Sequence, residues 1–268
     1  MFVRYFIHLR YLGKNYHGWQ RQTNAHSVQA ELEDAMSLLL REKINCHGCG
    51  RTDTGVHASQ YIAHFDIGIK WEIDLVYRLN QLLPDDIVVY EIKEVEPKLN
   101  AQLDVISRTY QYYVHFERSP FLADVSTYYE WNGLDLSLVS KVLGSLVGQH
   151  DFASFCLKSD QHRSTICEVK NVLLGKHDHA PQIYLQITAD HFLRGMVRHL
   201  VYTVLKIGWH TLTLQEFKNA LDNQQPLPFR KMAYPQGLHL SRVTYPTLDF
   251  HPRSIHLGRG DLSWAIKC

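Results

Sequence analysis

Between residues 3 and 95 the chain alternates between strand-like and helical hydrophobic patterns in the order β-α-β-β-α-β, which leaves few folds open. Residues 3–12 are rich in Val, Phe, Ile, Tyr and Leu, which suits a strand, and Gly13-Lys14-Asn15-Tyr16-His17-Gly18 supplies turn residues after it. From Ser27, Val28, Leu32, Ala35, Met36, Leu39 and Leu40 recur with the spacing of one helix face. Glu31 and Glu33 lie favourably near the positive end of that helix. Strands follow at 44–49 and 57–66, then a helix at 72–82 and a strand at 87–95. This order is the ferredoxin-like arrangement, with two helices on one face of an antiparallel sheet.

The periodicity breaks at Val95-Glu96-Pro97-Lys98. Arg108, Tyr110, Tyr112, Val114 and Phe116 then alternate with Thr109, Gln111, Tyr113 and His115, as in a half-buried strand with one largely aromatic face. A helix at 135–147, strands near 165–175 and 182–190, and a helix at 192–207 complete a second lobe of similar design. The expected class is therefore α+β, in two ferredoxin-like lobes with mostly antiparallel sheets and helices packed on one face. The lobes span 1–103 and 104–246, and a tail of open role covers 247–268. In the helix read from 192, Arg194 and Arg198 stand four apart. Like charges at that spacing repel by a few tenths of a kcal/mol, which a carboxylate or phosphate relieves. The plainer alternative is two solvated arginines at a helix edge.

A chain of 268 residues with 45% hydrophobic content can bury a sizeable core. Five cysteines, spread from Cys46 to Cys268 with no apolar leader before them, point to a reducing cytoplasm. No apolar stretch approaches the roughly 20 residues of a membrane helix. The net charge of +1 gives no compositional reason to expect a polyanionic partner. Any nucleic-acid surface must come from segregated cations, and Lys14, Arg21, Arg51, Lys158, Arg163, Arg194 and Arg198 are the candidates to share a face.

The segment most suited to chemistry is Gly50-Arg51-Thr52-Asp53-Thr54-Gly55-Val56-His57. Flanking glycines permit a tight turn and close approach of a ligand, and Arg51 favours the ionised form of Asp53. An ionised carboxylate suits a nucleophile or electrostatic stabiliser. An ordinary polar turn is the plain alternative. Asp53-Thr54-Gly55 also matches the aspartic-protease triplet, but there is no second copy in the chain, and Arg51 disfavours a shared proton. Cys46-His47-Gly48-Cys49 resembles half a zinc knuckle without a matching second pair, so buried thiols are the simpler reading.

From Tyr5 to about Pro246 the chain resembles the TruA family of tRNA pseudouridine synthases. The most specific match is Gly50 to Ala58. It is supported in order by Tyr16-His17-Gly18-Trp19-Gln20-Arg21-Gln22, by Leu79-Asn80 with Leu83-Pro84-Asp85-Asp86-Ile87, and by Arg108-Thr109-Tyr110-Gln111-Tyr112. Asp151-Phe152-Ala153-Ser154-Phe155, Phe192-Leu193-Arg194-Gly195-Met196-Val197-Arg198 and Gly237-Leu238-His239-Leu240 complete the series.

The resemblance implies isomerisation of uridine to pseudouridine in the anticodon arm of tRNA, without cofactor or metal, in a cleft between the lobes. It implies that Asp53 is the catalytic aspartate, that Tyr110 stacks on the target base, and that Arg198 is the aspartate's basic partner. Arg51, Arg21, Gln22, Arg194 and Gln102 are the implied RNA contacts, and a cytoplasmic homodimer is implied, with each tRNA touching both subunits. Where the family carries His-Ala-Arg, this chain reads Asn100-Ala101-Gln102. The Gln102 amide can hydrogen-bond a base edge but cannot pair ionically with phosphate. That change motivates the alternative of a non-catalytic RNA-binding paralogue.

Overall fold

The computed structural model describes residues 2–68, 71–157 and 164–251, and the backbone of 264–267. The described residues of Met1–Ile106 and His239–Ile255 form one compact unit, and those of Ser107–Leu238 and His256–Cys268 form a second.

The first unit opens with β1 (Val3–Tyr11), α1 (Val28–Leu40), β2 (His47–Gly48), β3 (His57–Ile67), α2 (Leu75–Leu82) and β4 (Ile87–Val95). β1 is central, with β3 and β4 antiparallel on either side of it, and β2 pairs antiparallel with β3 beyond. Ser27 caps α1 by accepting a hydrogen bond from the Ala30 N–H, and Arg41 ends it in a left-handed conformation. Val28, Leu32, Met36 and Leu40 are all buried, as the helical spacing predicts. Each such side chain contributes roughly 1.5–3 kcal/mol relative to an exposed one.

Two first-unit expectations change. The strand read at 44–49 shrinks to two residues, because the backbone before it bonds to α1 side chains instead of a neighbouring strand. The Cys46 N–H donates to Glu33 Oε1 and the Cys46 carbonyl accepts from Gln29 Nε2, each at 2.8 Å. Glu33 is thus a buried partner of the chain, a role beyond the favourable place near the positive helix end read from the sequence. α2 begins at Leu75, not 72, because Asp74 accepts from the Tyr77 N–H and caps it.

The second unit contains β5 (Ser107–His115), β6 (Thr127–Tyr128), α3 (Leu136–Gly144), β7 (Gly148–Asp151), β8 (Ile166–His177), β9 (Gln182–Ala189), α4 (Met196–Gly208) and α5 (Leu214–Asp222). β9 lies antiparallel between β5 and β8, β7 pairs antiparallel with β8, and β6 runs parallel to β5. The chain then enters β10 (Leu238–Thr244), whose His239 and Leu240 pair in parallel with His57 and Ala58 of β3. The backbone of β11 (Trp264–Lys267) pairs antiparallel with β8. The pattern is α+β with mostly antiparallel pairing. Among the described residues, no helix is long and apolar enough to cross a membrane. In the tail read from 247, Phe250 is buried and its carbonyl accepts from Gln60 Nε2 at 2.6 Å.

The aromatic strand is buried on both faces toward its end, not on one. Tyr113 and His115 are buried along with Tyr112 and Val114, and Tyr113 packs on Tyr184 of β9. The helix read from 192 begins at Met196, because Gly195 adopts φ +73° and caps it. Arg194 therefore lies outside the helix, so the i,i+4 repulsion with Arg198 does not arise. Its carbonyl accepts instead from the Leu157 N–H at 2.9 Å. A Cβ at Gly195 would lie 2.9 Å from Met232 Sδ and 3.2 Å from Leu157 Cγ. Gly195→Ala is expected to cost about 1–2 kcal/mol from the left-handed backbone alone, measurable as a lower urea midpoint with an unchanged slope.

Candidate functional site

The loop carrying Asp53 is shaped mainly by the segment that precedes α1. Gly13 and Gly18 let that segment lie directly on it. A Cβ at Gly13 would collide with the Val56 carbonyl and one at Gly18 with the Thr52 carbonyl, and Gly18 also sits at φ +88°. Hydrogen bonds close the contact. The Gly55 N–H donates to the Tyr16 carbonyl at 3.3 Å, the Trp19 N–H to the Thr52 carbonyl at 3.4 Å, and the Gly13 N–H to His57 Nδ1 at 2.8 Å. The Tyr11 and Thr52 hydroxyls share a further bond at 2.8 Å, and the Tyr61 hydroxyl donates to the Gly50 carbonyl. Within the loop, the Val56 N–H returns to the Asp53 carbonyl at 3.1 Å and Gly55 takes φ +76°. Asp53 is half-buried and Arg51 exposed, so the loop offers a carboxylate and a cation on a tightly held backbone.

Three of the sequence-predicted RNA contacts, Arg21, Arg51 and Gln102, line one cavity of about 590 Å³ in this unit, with Trp19 and His47. Arg21 is held by two carboxylates, 3.1 Å from Glu33 Oε2 and in direct contact with Asp34. Gln29 joins the set, accepting from Gln20 Nε2 and the Arg21 N–H and donating to Glu33. Gln22 lies outside the cavity, exposed, with its amide 3.5 Å from the His17 carbonyl. Lys14 is exposed in the same unit, whereas Lys158 and Arg163 lie outside the described residues.

Gln102 projects from a turn that is itself anchored. Asn100 Oδ1 accepts from the Gln102 and Leu103 N–H groups. The Ala101 N–H donates to His64 Nδ1 at 3.1 Å, and the Tyr245 hydroxyl donates to the Ala101 carbonyl at 2.6 Å. His64 must be unprotonated at Nδ1 to accept. Burial, reinforced by the nearby Arg4 and His47 charges, pulls its pKa down to about 4.

In the second unit, Tyr110 lies on β5 opposite Ile187, with Phe192 edge-on to its ring at 5.1 Å. Arg198, in the first turns of α4, donates from Nε to the Ala233 carbonyl at 2.7 Å, and its own carbonyl accepts from the Ala233 N–H. Next to it, the Tyr112 hydroxyl donates to the Tyr234 carbonyl at 2.9 Å and shares a bond with Thr127. Burial raises the Tyr112 pKa well above the usual phenol value, while the Arg198 charge pulls the other way. Arg194 precedes the helix and is exposed.

The knuckle-like Cys46 and Cys49 are both buried thiols. Burial, followed by the Glu33 charge, raises the Cys46 pKa far above the usual thiol value. Among the described residues, no group of three or more His, Cys, Asp or Glu could hold a metal ion. The residues whose supporting roles sequence reasoning did not assign are Gln29, Glu33, His57, His64 and Tyr112. For Gln29 and Glu33 a signal existed, since each follows a stripe residue by one position and so borders the buried face.

The model of the tRNA pseudouridine synthase family matches residues 143–246. The chain is 38% identical over 245 residues to tRNA pseudouridine synthase A of Bacteroides thetaiotaomicron, covering 91% of each chain. It is 38% identical over 250 residues to the protein of the same name from Parabacteroides distasonis, covering 91% of this chain and 96% of that one. With the Aquifex aeolicus protein of that name it shares 35% over 242 residues, covering 89% of this chain and 98% of that one.

The state of His64 has a measurable consequence. Its ordinary pKa near 6.5 falls to about 4 in the folded protein, so between those values the unfolded chain binds more protons. Stability then rises with pH across the window and is lost on acidification from about 6.5 to 4, at up to about 1.4 kcal/mol per pH unit. His64→Asn, which can offer Oδ1 to the Ala101 N–H, is expected to flatten that slope in urea titrations at pH 4.5, 5.5 and 7. Parallel profiles for both proteins would assign the acid sensitivity elsewhere.

Proposed function

Because the chain belongs to the TruA family of tRNA pseudouridine synthases, we propose that it isomerises uridine to pseudouridine in the anticodon stem-loop of tRNA, at positions 38–40, with Asp53 as the catalytic carboxylate. The observation that carries the assignment of Asp53 is its loop, pinned along its length by residues 11–19 and by Tyr61. A reacting group held on a fixed backbone keeps the geometry that transition-state stabilisation needs.

The chemistry asks for such a group. The bond from uracil N1 to ribose C1′ breaks, the ring turns while enclosed, and C5 bonds to C1′. The C5 proton then leaves and N1 gains one, so the reaction is a balanced isomerisation. Asp53 serves it ionised, whether as nucleophile or as base. In this reading Arg198 supplies the cation that keeps the carboxylate charged, across a cleft between two ferredoxin-like lobes. The Ala233 carbonyl fixes one edge of that guanidinium.

A uridine stacked in RNA hides its reactive atoms, so the target is flipped out at a cost of a few kcal/mol. Stacking on Tyr110 returns about 1–3 kcal/mol. Phe192, set edge-on to Tyr110, supports the ring in that role. Arg51, Arg21, Gln22, Arg194 and Gln102 are the proposed RNA contacts, in a cytoplasmic homodimer that needs no cofactor or metal.

Gln102 in place of the family arginine favours a second reading, an RNA-binding paralogue without activity. One experiment separates the two. Incubated with tRNA tritiated at uracil C5, the wild-type protein is expected to release tritium, and Asp53→Asn to bind tRNA but release none. Binding without release by the wild type would establish the paralogue. The dimer is checked by light scattering, where a particle of twice the chain mass is expected.

A further inference from the structure

Arg21 meets two carboxylates of different character. Glu33 is almost fully buried, with its side chain only 6% exposed, whereas the neighbouring Asp34 is 70% exposed. Glu33 also accepts from the Cys46 N–H and the Gln29 amide, both at 2.8 Å. Gln29 in turn accepts from the backbone N–H of Arg21 itself, at 2.9 Å. Main chain and guanidinium of residue 21 are thus tied to one buried polar set on α1. A buried carboxylate held by two hydrogen bonds and one ion pair has little solvent to replace any of them, so it keeps its hold on Arg21. The contact to Asp34 is of the opposite kind, an exposed ion pair that water and salt compete for.

Arg21 lines the cavity that Arg51 and Gln102 also line. It also borders a second hollow of about 530 Å³, where Asp34 sits among Arg41 and Lys43. A guanidinium has two usable edges and matches carboxylate and phosphate with the same fork geometry. We propose that Glu33 and Asp34 form a two-carboxylate latch on Arg21, in which Glu33 positions the guanidinium and Asp34 occupies the place taken by an RNA phosphate on binding. When phosphate arrives, Nε stays on Glu33 and Nη2 exchanges Asp34 for the phosphate. Arg41 and Lys43 then offer the released carboxylate other cations. This inference rests on the reading of the chain as an RNA-binding enzyme.

The latch gives two adjacent acids opposite effects. Simple repulsion of RNA by negative charge predicts that neutralising either one tightens binding. Under the latch, D34N removes the competitor and E33Q removes the positioner. The test is the dissociation constant for a tRNA transcript, measured by filter binding over a series of salt concentrations. D34N is expected to bind about two- to fivefold more tightly, the scale of one exposed ion pair. E33Q is expected to bind at least about fivefold more weakly, because a buried charge pair is broken. R21A is expected to lower the slope of log affinity against log salt by about 1, as for one lost phosphate contact.

In the R21A background the gain from D34N is expected to vanish. Tighter binding by both acid variants, or a D34N gain that survives R21A, would overturn the latch. The R21A and D34N pair keeps Glu33 and its bonds to Cys46 and Gln29, so it decides the question even where E33Q does not fold. A wild-type protein showing this binding pattern without tritium release would sink the catalytic reading and keep the latch.

Discussion

The close approach of residues 11–19 to residues 50–57 is the constraint from which the first unit's chemistry follows. Two backbones touch there without intervening side chains, because neither Gly13 nor Gly18 carries a Cβ. Once in contact, the segments satisfy one another's polar groups: Gly55 with Tyr16, Trp19 with Thr52, and Gly13 with His57. Buried backbone groups left unpaired would cost free energy comparable to a lost hydrogen bond each. Two motifs far apart in sequence therefore behave as a single structural piece. His57 explains part of the motif directly, since its buried ring must present an unprotonated Nδ1 to the Gly13 N–H.

The same device recurs around the cavity. Where the chain leaves regular strands, side chains accept from backbone N–H groups. Glu33 takes the N–H of Cys46, His64 that of Ala101, and Asn100 those of Gln102 and Leu103. Each acceptor fixes a short segment that presents a polar group outward. Glu33 and Gln29 differ from the rest in holding two pieces at once, the backbone at 46 and residue 21. That double duty explains why a charged side chain is tolerated beside an apolar helix stripe. The burial penalty is offset by donors already required to satisfy the loop.

Much of this was legible in the sequence wherever a local rule decided the outcome. β4 occupies Ile87–Val95 as its apolar run predicts, and Ser27 caps α1 where the helical spacing begins. Errors came where a long-range partner overrode local pattern. The strand at 44–49 lost its ladder to side chains on α1. The aromatic face of β5 became two buried faces because Tyr113 found Tyr184. The start of α4 turned on the left-handed Gly195, which hydrophobic spacing cannot reveal when the residues before it are also apolar. For the candidate site, glycine-flanked Asp53 stood out from local residues, whereas Tyr110 and Arg198 acquired roles only through the ordered motifs. Of their partners, Phe192 stood in the motif that ends at Arg198 without a role assigned to it, and the Ala233 carbonyl carries no sequence signal.

Gln102 takes its meaning from this setting. It shares its cavity with Arg51, which makes no ion pair among the described residues, and with Arg21, which contacts two carboxylates. A third cation there would have raised the attraction for phosphate without adding discrimination, because phosphate contacts position RNA and carry no sequence information. A neutral amide contributes little to that attraction but presents a donor and an acceptor in fixed relation, the pattern that a base edge reads. The turn beneath it is rigidly anchored through His64, Tyr245 and Asn100, which suits a group that must meet a base edge in a defined geometry. In the proposed function, the substitution shifts this corner of the cavity from charge attraction toward base discrimination. The same proposal assigns the generic hold on the RNA backbone to Arg51 and to Arg21.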